Sequence, residues 1–403
     1  MSALLEPQAD FLNIADPAFS IRSQAVRDAR EKNWYARTPY GLAVLRYAEV
    51  GALVRDARLR QGSYAWPAHN GVTSGAFKEW WDNILLNKEG ADHSRLRKLI
   101  SAAFTPKLLK ALTPRFEALA NELLDGFIDA GRCEFMGDFS EPYATRVICM
   151  LLGTRESDWR MIADWATQMG MALGVNYKRD QAIVDTATAR LFDYSREIIR
   201  ERRTNPGDDF LTKLVQASDN DGALSDAELL DIIVLAIFGG IDTTRNQLGL
   251  GIQMFIEHPD QWELLAARPE LSAPAVEEIM RVRPTVTWVT REAMEDIDFQ
   301  GVHIKAGTTV HLFSESAGTD PRVIVQEGFD ITARRPLHYG FGMGGHHCLG
   351  HFVARSDMAV VLRVWPARVT ALANGGDAVW LPDSGNTGPL SLPITFKHRA
   401  RAA

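Results

Sequence analysis

The stretch Tyr339-Gly-Phe-Gly-Met-Gly-Gly-His-His-Cys-Leu-Gly350 decides how this chain is to be read. It is a glycine-rich loop that ends on Cys348, and a helical pattern, His351-Phe-Val-Ala-Arg-Ser-Asp-Met-Ala-Val-Val-Leu362, follows directly. Glycines let a backbone come close to a flat ligand, because no Cβ stands in the way. A cysteine at a helix N-terminus meets free N–H groups and the positive end of the helix dipole, which favour thiolate over thiol. Such a thiolate is a good axial ligand to haem iron, to which it donates electron density. Two other readings compete. Gly340, Gly342 and Gly345 fit a G-x-G-x-x-G dinucleotide fingerprint, but the segment is near the C-terminus and no acidic residue in a βαβ context follows about 20 positions on. His338, His346, His347, Cys348 and His351 suggest zinc, yet adjacent residues do not readily share one tetrahedral ion and no second cysteine pair exists.

Outward from the loop, the chain has only two further cysteines, Cys133 and Cys149, both among apolar neighbours, so they read as small core residues and a disulfide framework is not expected. Hydrophobic residues make up 46% of the 403 positions and charged residues 24%, the balance of a well-packed globular protein. No Pro/Ser/Gly-rich linker divides residues 1–403, so a single domain is expected. The net charge of −7 argues against a nucleic-acid partner, which needs a basic face. Met1 to Ser20 carries Glu6, Asp10 and Asp16 without a basic region and an apolar run, and the apolar stretch Ile232 to Ile241 is too short for a bilayer. A cytoplasmic protein without a membrane anchor is the expectation.

Apolar residues recur at helical spacing over Arg95 to Ile128, Glu156 to Met171 and Ala182 to Arg203. Ser225-Asp-Ala-Glu228 has the form of a capping box and opens a helix that should run to Glu257, before His258-Pro259. At about 1.5 Å per residue it is roughly 48 Å long and should cross the whole core. From Glu295 to Val310, short alternating runs broken by glycine read as a small β-meander, and Leu390 to Phe396 reads as a further strand.

The cysteine loop resembles the haem-binding signature of the cytochrome P450 family, Phe-Gly-x-Gly-x-His-x-Cys-x-Gly, at Phe341, Gly342, Gly344, His346, Cys348 and Gly350. Three more segments extend the resemblance in the right order. Glu278-Ile-Met-Arg281 is similar to the family's Glu-x-x-Arg, which implies a scaffold for the haem pocket; alone it reads as a helix-surface ion pair. Gly239-Gly240-Ile-Asp242-Thr243-Thr244 is similar to Gly-x-Asp/Glu-Thr. Glycine inside a helix costs about 1 kcal/mol relative to alanine, so a reason for the pair is expected. The resemblance implies room for dioxygen beside the iron, with Asp242 and Thr243 relaying protons; the alternative is a packing notch with a back-bonded threonine. His93-Ser-Arg95-Leu-Arg97 resembles the C-helix motif, and with it His93, Arg97, Arg291 and His346 become candidate contacts to the haem propionates, a task that suits the planar fork of arginine. The match runs from about residue 35 to the end of the chain. It departs from the family pattern at Lys88-Glu-Gly-Ala-Asp92, at Ala317-Gly-Thr-Asp320-Pro321, and in a shortened Val361 to Arg368.

The resemblance implies a mainly α fold with small β-sheets, and haem b between the long helix and the Cys348 loop. It implies a haem-thiolate monooxygenase that hydroxylates or epoxidises a medium-sized hydrophobic small molecule in secondary metabolism or catabolism. No flavin or ferredoxin segment is appended, so a separate ferredoxin or flavodoxin with its reductase is expected to dock on a monomer behind the cysteine, near Arg95, Lys98 and Arg355. By family position the substrate pocket takes Trp66, Phe77, Trp80 and Trp81, then Met169, Met171 and Leu173, Ile237 with Phe238, Val286 to Val289, and Thr387 to Leu390. Each of these could equally serve core packing. A peroxide-driven haem enzyme and a non-catalytic haem sensor are the other functional readings; the presence of Asp242 and Thr243 speaks against the first.

Overall fold

The expected long helix runs from Asp226 to Glu257 in the computed structural model, which describes residues 9–174, 176–219 and 223–399. Its capping box is formed: Glu228 N–H donates to Ser225 Oγ, and Ser225 N–H donates to the Glu228 carboxylate. From Thr244 to Phe255 every residue is buried, because helices Glu141–Leu152, Trp159–Gly170, Tyr177–Thr204 and Ser272–Val282 pack around it. The helical pattern over Arg95 to Ile128 is two helices, Gly90–Ala103 and Pro106–Asp125. The chain breaks between them because Thr105 turns its hydroxyl to the Leu108 N–H (3.2 Å) and starts the second helix afresh.

The β-structure differs more from expectation. A five-stranded sheet has the order Tyr35–Thr38, Gly41–Val44, Thr309–Phe313, Trp288–Ala293, Leu59–Gln61, with only the second and third strands parallel. The meander read over 295–310 is a correction: Ile297–Phe299 and Val302–Ile304 form an isolated hairpin, whereas Val310 belongs to the five-stranded sheet. Residues 390–396 also split, since Pro389–Ser391 pairs with Val379–Trp380 and Pro393–His398 pairs with Val369–Asn374 and Arg132–Glu134. The shortened 361–368 segment is the end of helix His351–Arg368, which passes into a strand at Val369 without a loop.

Strand alternation gives the five-stranded sheet two different faces. Leu42, Val44, Val289, Val310 and Leu312 pack towards Tyr339 and Met343 of the cysteine loop. Ala43, Trp288 and Phe313 pack on the opposite face, under Leu12, Ile14 and Ile21 of the N-terminal segment. Among the described residues no helix is long and apolar enough to cross a membrane, and Glu6 lies outside them.

Candidate active site

The cysteine loop is closed by its own backbone. Cys348 N–H donates to Phe341 O (2.9 Å) and Gly342 N–H to Tyr339 O (2.8 Å), with Gly342 and Gly344 at φ of 64° and 74°, where a side chain would be strained. No strand leads into this loop, as a dinucleotide-binding turn requires, and among the described residues no group of three His, Cys, Asp or Glu is placed to hold a metal ion. Helix His351–Arg368 starts just beyond. Its effect on the sulfur is smaller than expected: burial raises the Cys348 pKa, and the Gly350 and His351 amides and the Arg97 and Arg355 guanidiniums only partly oppose it. A metal ion at the sulfur would offset that burial cost and hold the group as thiolate. Cys149 is buried, Cys133 is half-buried, and burial raises the pKa of each; neither lines the cavity below.

A cavity of about 580 Å³ separates the loop from the long helix. Phe341, Gly342, His346 and Cys348 form one wall. The other is one stripe of the long helix, Ile232, Leu235, Ala236, Gly239, Gly240, Thr243, Thr244 and Gln247, at the spacing of a single helix face. A Cβ on Gly239 would meet nothing within 4 Å, so this glycine leaves the open space, whereas one on Gly240 would collide with Ile148. Of the two glycines, only Gly240 is a packing notch.

Thr243 lines the cavity, with its hydroxyl donating to Gly239 O (2.6 Å). Asp242 does not line it. Its carboxylate accepts from Arg245 (2.7 Å), Asn246 (3.2 Å) and Asn386 (2.8 Å). Asn386 sits in the C-terminal loop, and no local pattern in the sequence marks it.

Three basic side chains, His93, Arg97 and His346, line the cavity edge, and a fourth, Arg291, lies next to its wall residue Thr290. The His93 and His346 rings are 4.2 Å apart, and His346 Nε2 lies 3.0 Å from Glu89 Oε1. Arg97 donates to the His347 carbonyl. Arg291 is 3% exposed and donates to Gln61 Oε1 (2.7 Å) and Thr290 O (3.1 Å), both neutral acceptors. Burial lowers the pKa of all four: Arg291 to about 10, with Glu89 opposing; His93 to about 4, with His346 and Arg97 adding to the fall; and Arg97 and His346 in direction alone. Neither arginine has a carboxylate partner among the described residues. Desolvated cations without counter-charge are costly, and a dianionic ligand edge relieves that cost. These residues and Cys348 fit a haem.

Glu278 and Arg281 are not the surface pair that their spacing alone allows. They form a bidentate pair (2.7 and 2.6 Å), both side chains 3% exposed. Arg281 also donates to Gly318 O and Gly328 O, and Glu278 accepts from Asp330 N–H, so the pair ties helix Ser272–Val282 to the segment before the cysteine loop. Of the basic residues behind the cysteine, Arg355 is not free. It pairs with Glu277 (2.6 Å) and stacks over Phe341 at 4.4 Å. Arg95 is exposed but held by Glu228, and Lys98 is exposed.

Of the expected pocket residues, Trp66, Trp81, Leu173, Val286 and Val289 line the cavity. Trp80, Met169, Ile237 and Phe238 do not. Trp80 and Phe238 pack with Phe77 in a buried aromatic cluster (Trp80–Phe238 5.4 Å, Phe77–Phe238 5.9 Å), and Ile237 and Met169 are fully buried. Leu390 is 50% exposed and away from the cavity, whose C-terminal wall is Ser384 to Asn386. The reason for Ile237 and Phe238 is helix register: counting by three and four from Gly239 reaches Leu235 and Ala236, a signal present in the sequence. Ile14, Tyr40, His69 and His311 also line the cavity and were not foreseen.

Comparison with known proteins agrees with this geometry. The family model described as Cytochrome P450 matches residues 260–364. The luteothin monooxygenase of Streptomyces thioluteus is 36% identical over 390 residues, 96% of each chain. The mycinamicin IV hydroxylase/epoxidase of Micromonospora griseorubida is 32% identical, covering 89% of this chain and 91% of its own. The crystal structure of CalO2 superposes with a TM-score of 0.84 at 28% identity, over 95% of this chain and 99% of that one. With its thiol loop, long helix and basic cavity edge in the arrangement described, the chain belongs to the cytochrome P450 family, whose members here are monooxygenases with a cysteine-ligated haem.

Proposed function

We propose that this monooxygenase holds haem b through Cys348 and hydroxylates or epoxidises a medium-sized hydrophobic molecule of secondary metabolism. One observation carries the reading: the Cys348 thiol and the half-buried Arg97 line one cavity with the Gly239 gap, the buried Arg291 stands next to its wall residue Thr290, and neither arginine has a carboxylate partner among the described residues. Bound there, thiolate-ligated haem supplies the activation of dioxygen. Arg97, Arg291, His93 and His346 hold its propionates, and Phe341 packs behind the thiolate. Thr243, on the cavity wall, would offer its hydroxyl proton to dioxygen by turning from Gly239 O, and Asp242, outside the cavity, would be the acid that restores it. Glu278 and Arg281 hold the scaffold beneath. Trp66, Trp81, Leu173, Val286 and Val289 give the substrate an apolar enclosure. The names of the two relatives, a monooxygenase and a hydroxylase/epoxidase, support both outcomes. The chain acts as a single-domain cytoplasmic monomer and takes electrons from a ferredoxin or flavodoxin with its reductase, through a face that includes Lys98 and Arg95.

The test is the reduced, carbon-monoxide-treated protein. The red-shifted Soret band of thiolate ligation is expected in the wild type and in Cys133→Ser and Cys149→Ser, and is expected to vanish in Cys348→Ser. Persistence of the band in Cys348→Ser would overturn the ligand assignment. Turnover with peroxide but not with reduced ferredoxin would make the protein a peroxide-driven enzyme, and a normal spectrum without any turnover a haem sensor.

A further inference from the structure

The cavity extends beyond the space between Cys348 and the long helix. It reaches the opposite face of the five-stranded sheet, where Ile14, Tyr40, His69, Trp288 and His311 line it. His311 is the cross-strand neighbour of Thr290 and is 6% exposed. Its ring meets Trp288 and Tyr40 edge-on, at 5.6 and 6.2 Å between centroids. Nδ1 lies 3.4 Å from Thr290 Oγ1, while Nε2 is buried and has no partner among the described residues. Buried polar atoms are normally paired, so an unpaired ring nitrogen beside a cavity asks for a ligand atom.

Neighbouring polar groups do not supply one. Ser384 Oγ donates to Asn386 O, Asn386 Nδ2 to Asp242, and Trp66 Nε1 to Ala172 O. Burial, with some repulsion from His69, lowers the His311 pKa to about 3 and keeps its ring neutral. If Thr290 Oγ1 donates to Nδ1, the ring proton sits on Nε2, which becomes a donor. No unpaired cation lines this end among the described residues, and Glu292, whose field reaches His69, is already paired with Arg60 (2.6 Å).

We propose that this annex recognises a neutral carbonyl or ether oxygen at one end of an otherwise apolar substrate, with His311 Nε2 as the hydrogen-bond donor and Trp288, Tyr40 and Ile14 as walls. The inference deepens the proposed function and rests on it. A site built to bond an oxygen discriminates against analogues that lack it, and an annex without a free cation gives no advantage to a carboxylate.

The experiment uses the haem-loaded protein and three matched probes, para-nonylacetophenone, nonylbenzene and para-nonylbenzoic acid, with dissociation constants read by calorimetry. The ketone is expected to bind about three- to tenfold tighter than the hydrocarbon, the worth of one hydrogen bond. The acid is expected to bind no tighter than the hydrocarbon. The ketone's advantage should fall below about twofold in His311→Phe, shrink in Thr290→Val and return in part in His311→Gln. Equal binding of ketone and hydrocarbon, an advantage that survives in His311→Phe, or tightest binding of the acid would overturn the proposal. The carbon-monoxide spectrum of the same samples reports separately on the haem-thiolate reading.

Discussion

Thr243 and Asp242 adjoin in sequence but sit in different surroundings. The threonine is on the cavity wall and bonded back to its own helix, while the aspartate is outside the cavity and fixed by three donors. Positioned proton transfer is worth about 10²–10⁴ in rate, so the two should fail differently. Thr243→Ala is expected to keep substrate-induced spectral shifts and oxygen consumption while releasing more peroxide and less product per electron pair. Asp242→Asn is expected to slow the whole cycle. Asn386→Ala, which removes one donor to Asp242 from a distant loop, should give a milder loss of coupling; no change in any of the three would make this stretch packing alone. Beside the cavity, Arg291→Leu removes a buried cation whose hydrogen-bond acceptors are both neutral. The haem-free protein should become no less stable, whereas haem should be lost more readily, by about 1–3 kcal/mol of binding, measured by haem transfer to an acceptor.

Among the elements, the long helix was readable from sequence because both ends are local chemistry, a capping box at Ser225 and a proline after His258. The sheet was not readable, since its strands are three to six residues long and pair across distant parts of the chain, as Gly41–Val44 does with Thr309–Phe313. The cysteine loop, the glycine pair and Glu278 with Arg281 were legible as motifs. Their burial was not, because spacing at i and i+3 is the same for a surface pair and for a buried one. That difference decides the energetics. Breaking a buried pair leaves an uncompensated charge and costs about 3–5 kcal/mol, so Glu278→Gln should lower the thermal midpoint steeply even in haem-free protein, whereas a surface pair would shift it little. The pocket residues were legible in part. Trp66 and Val289 line the cavity, but Trp80 and Phe238 carry the same apolar character into the core, and only three-dimensional register separates the two groups.

Over the whole molecule, residues 20–22 of the N-terminal segment are tied to Asp383 of the C-terminal loop and to Glu315. Ser20 and Ile21 donate to Asp383 (3.1 and 2.9 Å), and Arg22 pairs with Glu315 (2.9 Å), which is 7% exposed. Burial raises the Glu315 pKa from 4.5 to about 7, with Asp383 adding to the rise and Arg22 and Arg283 opposing it. Between those two values the folded chain binds more protons at this group than the unfolded chain, so its contribution to stability is full below pH 4.5 and declines as pH rises to about 7. Glu315→Gln should flatten the pH dependence of the denaturation midpoint across that window. An unchanged slope would show that Arg22 keeps the carboxylate ionised throughout.

The alternation along Trp288–Ala293 has a consequence for redesign. Val289 and Arg291 face the cysteine loop, while Trp288 and Thr290 face the N-terminal segment with His311, so the strand acts as a partition between two tasks. Libraries confined to positions 288, 290 and 311 can therefore retune ligand choice while the side chains of the pigment-holding face stay unchanged.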